Sequence, residues 1–104
     1  MINLIIYLEQ ATDAHSLVNE LLSKKMVASA SIDSDNAYFT VINGKVTKTI
    51  HTVITAQTKA SLFSSISDYI LERHDKDTPI FSMPITQSND NFAEDIRAKT
   101  KTIA

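Results

Sequence analysis

Alternation of apolar and polar residues is clearest in the middle of the chain, on either side of an Asn-Gly pair. Residues 38–42 and 46–55 are rich in β-branched and aromatic side chains, which favour strands. Between them, Asn43 and Gly44 favour a type I′ turn, because that turn requires positive φ at both central positions. The pattern predicts a long β-hairpin with Asn43, Gly44 and Lys45 at its turn, and Gly44 is the only glycine in the sequence.

The second strand of this hairpin has two faces of unequal polarity, since successive side chains point to opposite faces of a strand. The more apolar face comprises Val46, Lys48, Ile50, Thr52 and Ile54. We expect this face to lie on the hydrophobic core.

The segments before the hairpin predict a strand, a helix and a second strand. Residues 2–8 form an almost continuous apolar run, typical of a central strand buried on both faces, and lack the features of a signal peptide. Thr12 is predicted to cap a helix. The apolar residues of that helix recur at helical spacing and are Ala14, Leu17, Val18, Leu21 and Leu22. A small-residue strand at 27–32 and a turn or bulge at 33–36 then lead into the hairpin.

The segments after the hairpin predict two helices separated by an edge strand. Thr58 is predicted to cap the second helix, which ends at His74. Its apolar stripe is Leu62, Phe63, Ile66, Tyr69 and Ile70. Residues 79–85 contain two prolines, which confine a strand to the edge of a sheet. Phe92 opens a short terminal helix, and we expect a frayed basic tail at residues 99–101.

The order of elements predicts an α+β fold of the ferredoxin-like βαββαβ type, with a long central hairpin and a short C-terminal helix. With 104 residues, positions 1–104 are expected to form a single domain. Two helices cover only one face of the antiparallel sheet, and the hairpin projects beyond them. Exposed edges are usually paired or covered, and closed symmetry achieves this. We therefore expect a homotrimer.

Composition excludes several kinds of function. A net charge of −2 argues against nucleic acid as a partner, and no segment approaches the roughly twenty apolar residues that span a bilayer. The chain has no cysteine, so it can form neither disulfides nor thiolate metal sites, and we expect a cytoplasmic protein. No nucleophile elbow, Ser-x-x-Lys motif or glycine-rich phosphate loop is present, so we expect no enzymatic activity.

Short motifs distributed along the chain resemble those of a known family. They are Ser29 within a small-residue strand, Asn43-Gly44-Lys45 at the hairpin, Gln57-Thr58 before the second helix, His74 to Pro79 after it, Met83-Pro84-Ile85, and Phe92. In order and spacing, from residue 2 to about residue 96, they resemble the CutA-like divalent-cation tolerance family. That family shares a trimeric superfamily with the PII signalling proteins. The resemblance implies the same fold, a homotrimer, and ligand binding in clefts between subunits.

The departures from the family pattern fall mostly on its proposed ligand cleft. Ser29 replaces the family's cysteine, and Gln57 replaces its lysine. Val41 and Ile42 stand in place of its tryptophan pair, and Asp75 and Lys76 stand in place of its Pro-Tyr step. Only His74 and Asp77, whose carboxylate stands for a glutamate, retain the family's chemistry there. The resemblance thus implies ligand-binding or metal-binding residues at His74, Asp77, Gln57 and Ser29, with no certain cofactor and a divalent cation as the candidate.

Other interpretations remain open. His15, His51 and His74 lie on separate elements without metal-ligand spacing, so each is expected to be an ordinary surface or capping imidazole. One function is small-ligand or divalent-cation binding and signalling by a trimer. The alternative is a structural trimer with a degenerate cleft that contacts another protein. In either case we expect His74 to lie near a subunit boundary.

Overall fold

The computed structural model describes residues 1–10 and 12–102, and in these residues it contains four strands and three α-helices. In chain order they are β1 (Ile2–Glu9), α1 (Ala14–Ser23), β2 (Ser29–Ile42), β3 (Lys45–Thr58), α2 (Phe63–Arg73), β4 (Ile80–Pro84) and α3 (Asp90–Lys99). The strands form one antiparallel sheet in the order β2-β3-β1-β4. The predicted ferredoxin-like arrangement is confirmed, with β1 central and the proline-containing β4 at an edge.

The hairpin turn has the predicted backbone conformation. Asn43 and Gly44 have φ values of 51° and 78°, and Ile42 pairs with Lys45 across the turn. Both central residues therefore occupy the left-handed region that a type I′ turn requires.

The first hairpin strand and the small-residue strand before it are one continuous strand, interrupted by a β-bulge. Asp33 pairs with Val53 and Asn36 pairs with His51, so two residues of β2 oppose the single Thr52 of β3. Asp35 in this bulge has a φ of 60°. The inserted residue reverses the alternation, so that even-numbered residues beyond the bulge share a face with odd-numbered residues before it.

The hydrophobic core lies between one face of the sheet and helices α1 and α2. Its largest buried side chains are Leu4, Ile6, Leu8, Leu17, Leu21, Ile54, Leu62, Ile66 and Ile70. The predicted core face of β3 is only half correct. Thr52 and Ile54 are buried, but Val46 is 77% exposed and Lys48 is exposed as well. A 14-residue strand extends for about 46 Å, and its distal half runs past both helices.

The predicted caps of both helices are wrong. Helix α1 is capped by Asp13 rather than Thr12, and the Asp13 carboxylate accepts a hydrogen bond of 3.0 Å from the Ser16 amide. Thr58 does not cap α2, because β3 continues to Thr58, which pairs with Ile2 of β1. A 3₁₀ turn, Ala60–Leu62, leads into α2 instead.

Residues 99–101 are held in place, contrary to the expected fraying. The Lys101 amide donates to the Lys25 carbonyl at 2.8 Å. The Lys59 ammonium donates to the carbonyls of Thr100 and Lys101, each at 3.3 Å. A cation at the carbonyl end of a helix is also favoured by the helix dipole. These contacts fasten the end of α3 to both the α1–β2 turn and the start of α2.

Replacing Gly44 with valine tests the turn. A Cβ atom at Gly44 would meet no atom within 4 Å, so the cost is confined to backbone strain at positive φ. We expect Gly44→Val to lower the free energy of unfolding by about 1–3 kcal/mol in urea denaturation. Gly44→Asn is the matched control, since asparagine tolerates the left-handed region, and it should lose less. Wild-type stability of the valine variant would contradict the turn assignment.

Thr58 provides a test of the β3–α2 junction. Its side chain is fully buried, and its hydroxyl donates to the Met26 carbonyl at 2.6 Å. Thr58→Val keeps the shape but leaves that carbonyl without this donor, so we expect a loss of about 1–3 kcal/mol in the free energy of unfolding. Thr40→Val, at an exposed position of β2, is the control and should be nearly neutral. Equal stabilities would show that this hydrogen bond contributes nothing.

Candidate functional site

One face of the sheet is covered by neither α1 nor α2, and we call it the open face. Along its two central strands it comprises Asn3, Ile5, Tyr7 and Glu9 of β1, paired respectively with Gln57, Thr55, Val53 and His51 of β3. Aromatic and polar side chains are clustered at the two ends of this face.

An aromatic cluster occupies the end nearer the hairpin tip, and each strand contributes one ring. Its members are Tyr7 of β1, Tyr38 of β2, His51 of β3 and Phe81 of β4. The Tyr7 ring lies 5.1 Å from Tyr38, 5.9 Å from His51 and 6.1 Å from Phe81, and the Tyr38 and His51 centroids are 4.8 Å apart. These separations are those of interacting aromatic pairs.

The bulge in β2 explains how Tyr38 reaches this cluster. Before the bulge, odd-numbered residues such as Asp33 lie on the open face. After it, Asn36 pairs with His51 and Tyr38 pairs with Thr49, so even-numbered residues take over that face. Without the inserted residue, Tyr38 would point to the opposite side of the sheet.

A pocket of about 240 Å³ lies beside the aromatic cluster. Its lining comes from the cluster, from the outer hairpin and from the loop after α2, and it comprises Tyr7, Glu9, Tyr38, Thr40, Ile42, Thr49, His51, Asp75, Asp77, Thr78 and Pro79. We call it the aromatic pocket. It combines rings from three strands with carboxylates from two separate segments of the chain.

Local hydrogen bonds fix the loop that forms one wall of the aromatic pocket. The Asp75 carboxylate accepts from the Asp77 amide at 2.9 Å, and its carbonyl accepts from the Thr78 amide and hydroxyl. The Tyr7 amide donates to the Pro79 carbonyl at 3.0 Å. The loop is thereby attached directly to β1, beside the central ring of the cluster.

The aromatic pocket is acidic. Glu9, Asp75 and Asp77 line it, whereas no lysine or arginine does. The ion pairs found in the described residues, Arg73 with Glu72 and Lys99 with Asp95, do not involve these carboxylates. Within residues 1–10 and 12–102, no group of three histidine, aspartate or glutamate side chains is arranged to hold a metal ion.

An uncharged groove lined by both polar and apolar side chains occupies the other end of the open face. The Ser29 hydroxyl donates to the Gln57 side-chain oxygen at 2.6 Å, and the Gln57 amide nitrogen donates to Asn3 Oδ1 at 2.8 Å. The groove, of about 570 Å³, is lined by Asn3, Gln57, Met83, Pro84, Ile85, Gln87, Ser88, Asn89 and Phe92. We call it the amide groove, and its lining carries no charged side chain.

A single chain distributes the predicted site residues over different places. Ser29 and Gln57 meet at the amide groove, and Asp77 lines the aromatic pocket. The two sites are separated by about 13 Å along β1, from Asn3 to Tyr7. His74 is the C-cap of α2 and lines neither site. The turn residues 43–45 also line neither site.

Sequence reasoning missed the aromatic pocket. It treated Tyr7 as part of an apolar strand and His51 as an ordinary surface imidazole. The available signal was the bulge predicted at residues 33–36, because that bulge shifts Tyr38 to the face of His51. Recognising this requires the strand register, which the sequence pattern does not specify.

Comparisons with known proteins agree with the fold described above. A family model described as CutA1 divalent ion tolerance protein matches residues 2–99. No curated protein sequence matches the chain at a significant level. In the described part of the chain, no helix is long and apolar enough to cross a membrane.

Solved structures resemble the chain over nearly its whole length. CutA1 from Pyrococcus horikoshii is 20% identical, with a TM-score of 0.86 and coverage of 98% of this chain and 100% of that one. CutA1 from Oryza sativa is 19% identical, with a TM-score of 0.88 and coverage of 96% and 93%. The periplasmic divalent cation tolerance protein CutA from Archaeoglobus fulgidus is 21% identical, with a TM-score of 0.85 and coverage of 97% and 100%. At these identities the likeness establishes the fold.

Proposed function

Because this chain belongs to the CutA1 divalent ion tolerance family, we propose that it is a non-catalytic homotrimer that binds a small ligand or a divalent cation between its subunits. The observation that carries this proposal is the acidic aromatic pocket, which lies on a sheet face that helices α1 and α2 leave uncovered. We also propose a cytoplasmic location, on the basis of the cysteine-free sequence.

The outer hairpin supports assembly. Phe39, Val41 and Val46 lie on the same face of the sheet as the helices, but in the part of the hairpin that the helices do not reach. Their side chains are 62%, 64% and 77% exposed. Val41 and Val46 pair directly across the two strands, so these side chains form one continuous apolar surface. Contiguous exposed apolar surface is typical of interfaces. Strand β2 is also a 14-residue edge strand, and such edges are usually paired or covered.

A shared site between subunits fits the distribution of polar groups. Asp77 and the pair formed by Ser29 and Gln57 lie at different ends of the open face of one chain. We propose that the trimer brings the Asp77 end of one subunit towards the Ser29–Gln57 end of its neighbour, with His74 near that boundary. A bound metal ion would then take ligands from two chains, since the described residues of one chain offer no group of three.

The chemistry of the pocket supports binding rather than catalysis. The Thr49 hydroxyl lies 3.4 Å from Nδ1 of His51. Activating a hydroxyl nucleophile requires a closer base that is itself oriented by a third group. No carboxylate is hydrogen-bonded to the His51 ring among the described residues, so we assign no catalytic role to this pair.

A structural or protein-interaction trimer is the second candidate. The exposed hairpin surface and the replacement of the family's cleft residues by Ser29, Val41, Ile42 and Gln57 favour it. In this case the trimer forms but no small ligand saturates the pocket. Ligand titration therefore distinguishes the two candidates.

The first experiment measures assembly by sedimentation equilibrium and native mass spectrometry. We expect a trimer for the wild-type chain. Val46→Glu should weaken assembly, because it would place an unpaired charge in the apolar interface. Leu22→Glu, at a 38% exposed apolar position of α1, is the matched control and should remain trimeric. A well-folded wild-type monomer in dilute solution would contradict the proposal.

The second experiment measures binding by isothermal titration calorimetry on the purified trimer. We expect a positively charged ligand to saturate the pocket and ATP not to bind, because three carboxylates line it and no lysine or arginine does. Asp77→Asn should weaken binding at least about tenfold if its carboxylate contacts the ligand. Asp68→Asn is the control, since Asp68 is exposed on α2 and lines none of the pockets found in the described residues.

Metal titration of His74→Ala tests the proposed role of the helix-end imidazole. If His74 is a metal ligand, the variant binds Zn²⁺ and Cu²⁺ more weakly than the wild-type protein does. His15→Ala on α1 is the control. Equal metal affinities would remove His74 from the site. In either case we expect His74→Ala to remain trimeric and to change the free energy of unfolding by less than about 1 kcal/mol.

A further inference from the structure

We propose that the ligand of the aromatic pocket is an organic cation, a substituted ammonium, and not a metal ion. This inference rests on the proposed function, which places ligand binding at that pocket. Three features of the pocket carry it: the spacing of its carboxylates, its aromatic rings, and the absence of an internal counter-ion in the described residues.

Within one subunit, the side chains of the pocket do not have the geometry of a metal site. Protein ligands approach Zn²⁺, Mg²⁺ or Ca²⁺ to within about 2.0–2.6 Å, so their side chains must converge on one point. No three histidine, aspartate or glutamate side chains of the described residues do so. Glu9 at the end of β1 and Asp77 in the α2–β4 loop instead flank a cavity of about 240 Å³. This space suits a bulky cation whose charge is spread over several groups.

The aromatic rings provide the complementary surface for such a cation. Tyr7, Tyr38 and His51 all line the pocket and are each only partly buried. A tyrosine ring attracts a cation that lies within about 6 Å of its centre, and aromatic side chains together with carboxylates are a recurring way to bind substituted ammonium groups. A small, strongly hydrated metal ion would gain little from these rings.

The tyrosines of the chain differ in whether a positively charged side chain lies over the ring. Tyr69, which packs between α1 and α2, already has the Arg73 guanidinium 3.7 Å from its ring centroid and the Lys24 ammonium at 5.6 Å. Among the described residues, neither Tyr7 nor Tyr38 has a cation over its ring. The carboxylates of Glu9 and Asp77 likewise have no ion pair or hydrogen bond there. The aromatic pocket therefore carries aromatic and acidic groups with which no lysine or arginine of the described residues is paired.

The test compares choline with 3,3-dimethylbutan-1-ol, which has the same shape but replaces the ammonium nitrogen by carbon. Wild-type protein is titrated with each compound by calorimetry, and NMR monitors the ring signals of Tyr7, Tyr38 and His51. We expect choline to bind and to shift these signals, whereas the alcohol should bind at least about tenfold more weakly because it lacks the charge. Zn²⁺ should leave the ring signals unchanged.

Two pairs of variants separate the contributions of charge and ring. Asp77→Asn should weaken choline binding, whereas Asp68→Asn should not. Tyr38→Leu should weaken choline binding by roughly threefold to tenfold, whereas Tyr38→Phe, which keeps the ring, should retain it. Circular dichroism establishes that each variant is folded, and the comparison of choline with its neutral isostere needs no variant.

Each result has a defined consequence. Equal binding of choline and the alcohol, or choline binding that is unaffected by both Asp77→Asn and Tyr38→Leu, would overturn the proposal. Saturable Zn²⁺ binding that shifts the ring signals, without choline binding, would overturn it while leaving the proposed binding function intact. Failure of choline, metals and nucleotides to bind a well-formed trimer would overturn both, and would favour the structural alternative.

Discussion

The register of β2 against β3 is the constraint on which the open face depends. A bulge between Asp33 and Asn36 inserts one residue into β2 and reverses its alternation. Beyond the bulge, Tyr38 therefore joins His51 and Tyr7 on the open face, while Phe39 and Val41 take the side of the helices. A single inserted residue thus determines both the composition of the aromatic pocket and the apolar surface of the outer hairpin. Deleting one residue of the bulge would turn Tyr38 towards the side of the helices, and Phe39 and Val41 towards the open face.

The length of the hairpin creates a second dependence, between packing and assembly. Helices α1 and α2 bury the proximal half of β3, where Thr52 and Ile54 lie, but they do not reach Val46. The distal strands are held only by each other and by the turn at Gly44, and an isolated two-stranded hairpin is marginally stable in water. A partner that covered Phe39, Val41 and Val46 would stabilise this half of the hairpin directly. Assembly is therefore coupled to the order of the same strands that carry Tyr38.

The order of elements, the hairpin turn and the helical stripes could all be predicted from sequence, because each depends on local periodicity or on residues with special backbone preferences, such as Gly44. Apart from the cap of α1, which lies one residue after the predicted Thr12, the errors arose where long-range contacts decide the outcome. Thr58 has a typical capping residue type, but pairing with Ile2 extends β3 through it, and its hydroxyl bonds to Met26 instead. Val46 follows the apolar alternation, yet its burial depends on where the helices end. The aromatic pocket was missed because its rings come from strands joined only by register.

His74 and His51 show that matching a family motif and lining a site are different properties of a residue. His74 matches the family pattern in position, but in this chain it ends α2 and lines neither the aromatic pocket nor the amide groove. His51 matches no motif that we identified, yet it contacts Tyr7 and Tyr38 on the open face. Asp77 and Pro79 both fit the family pattern and line the pocket, and of these two only Asp77 has an ionisable side chain. If the pocket binds a cation, the retained element is therefore a carboxylate, and its ring-bearing neighbours determine which kind of cation it accepts.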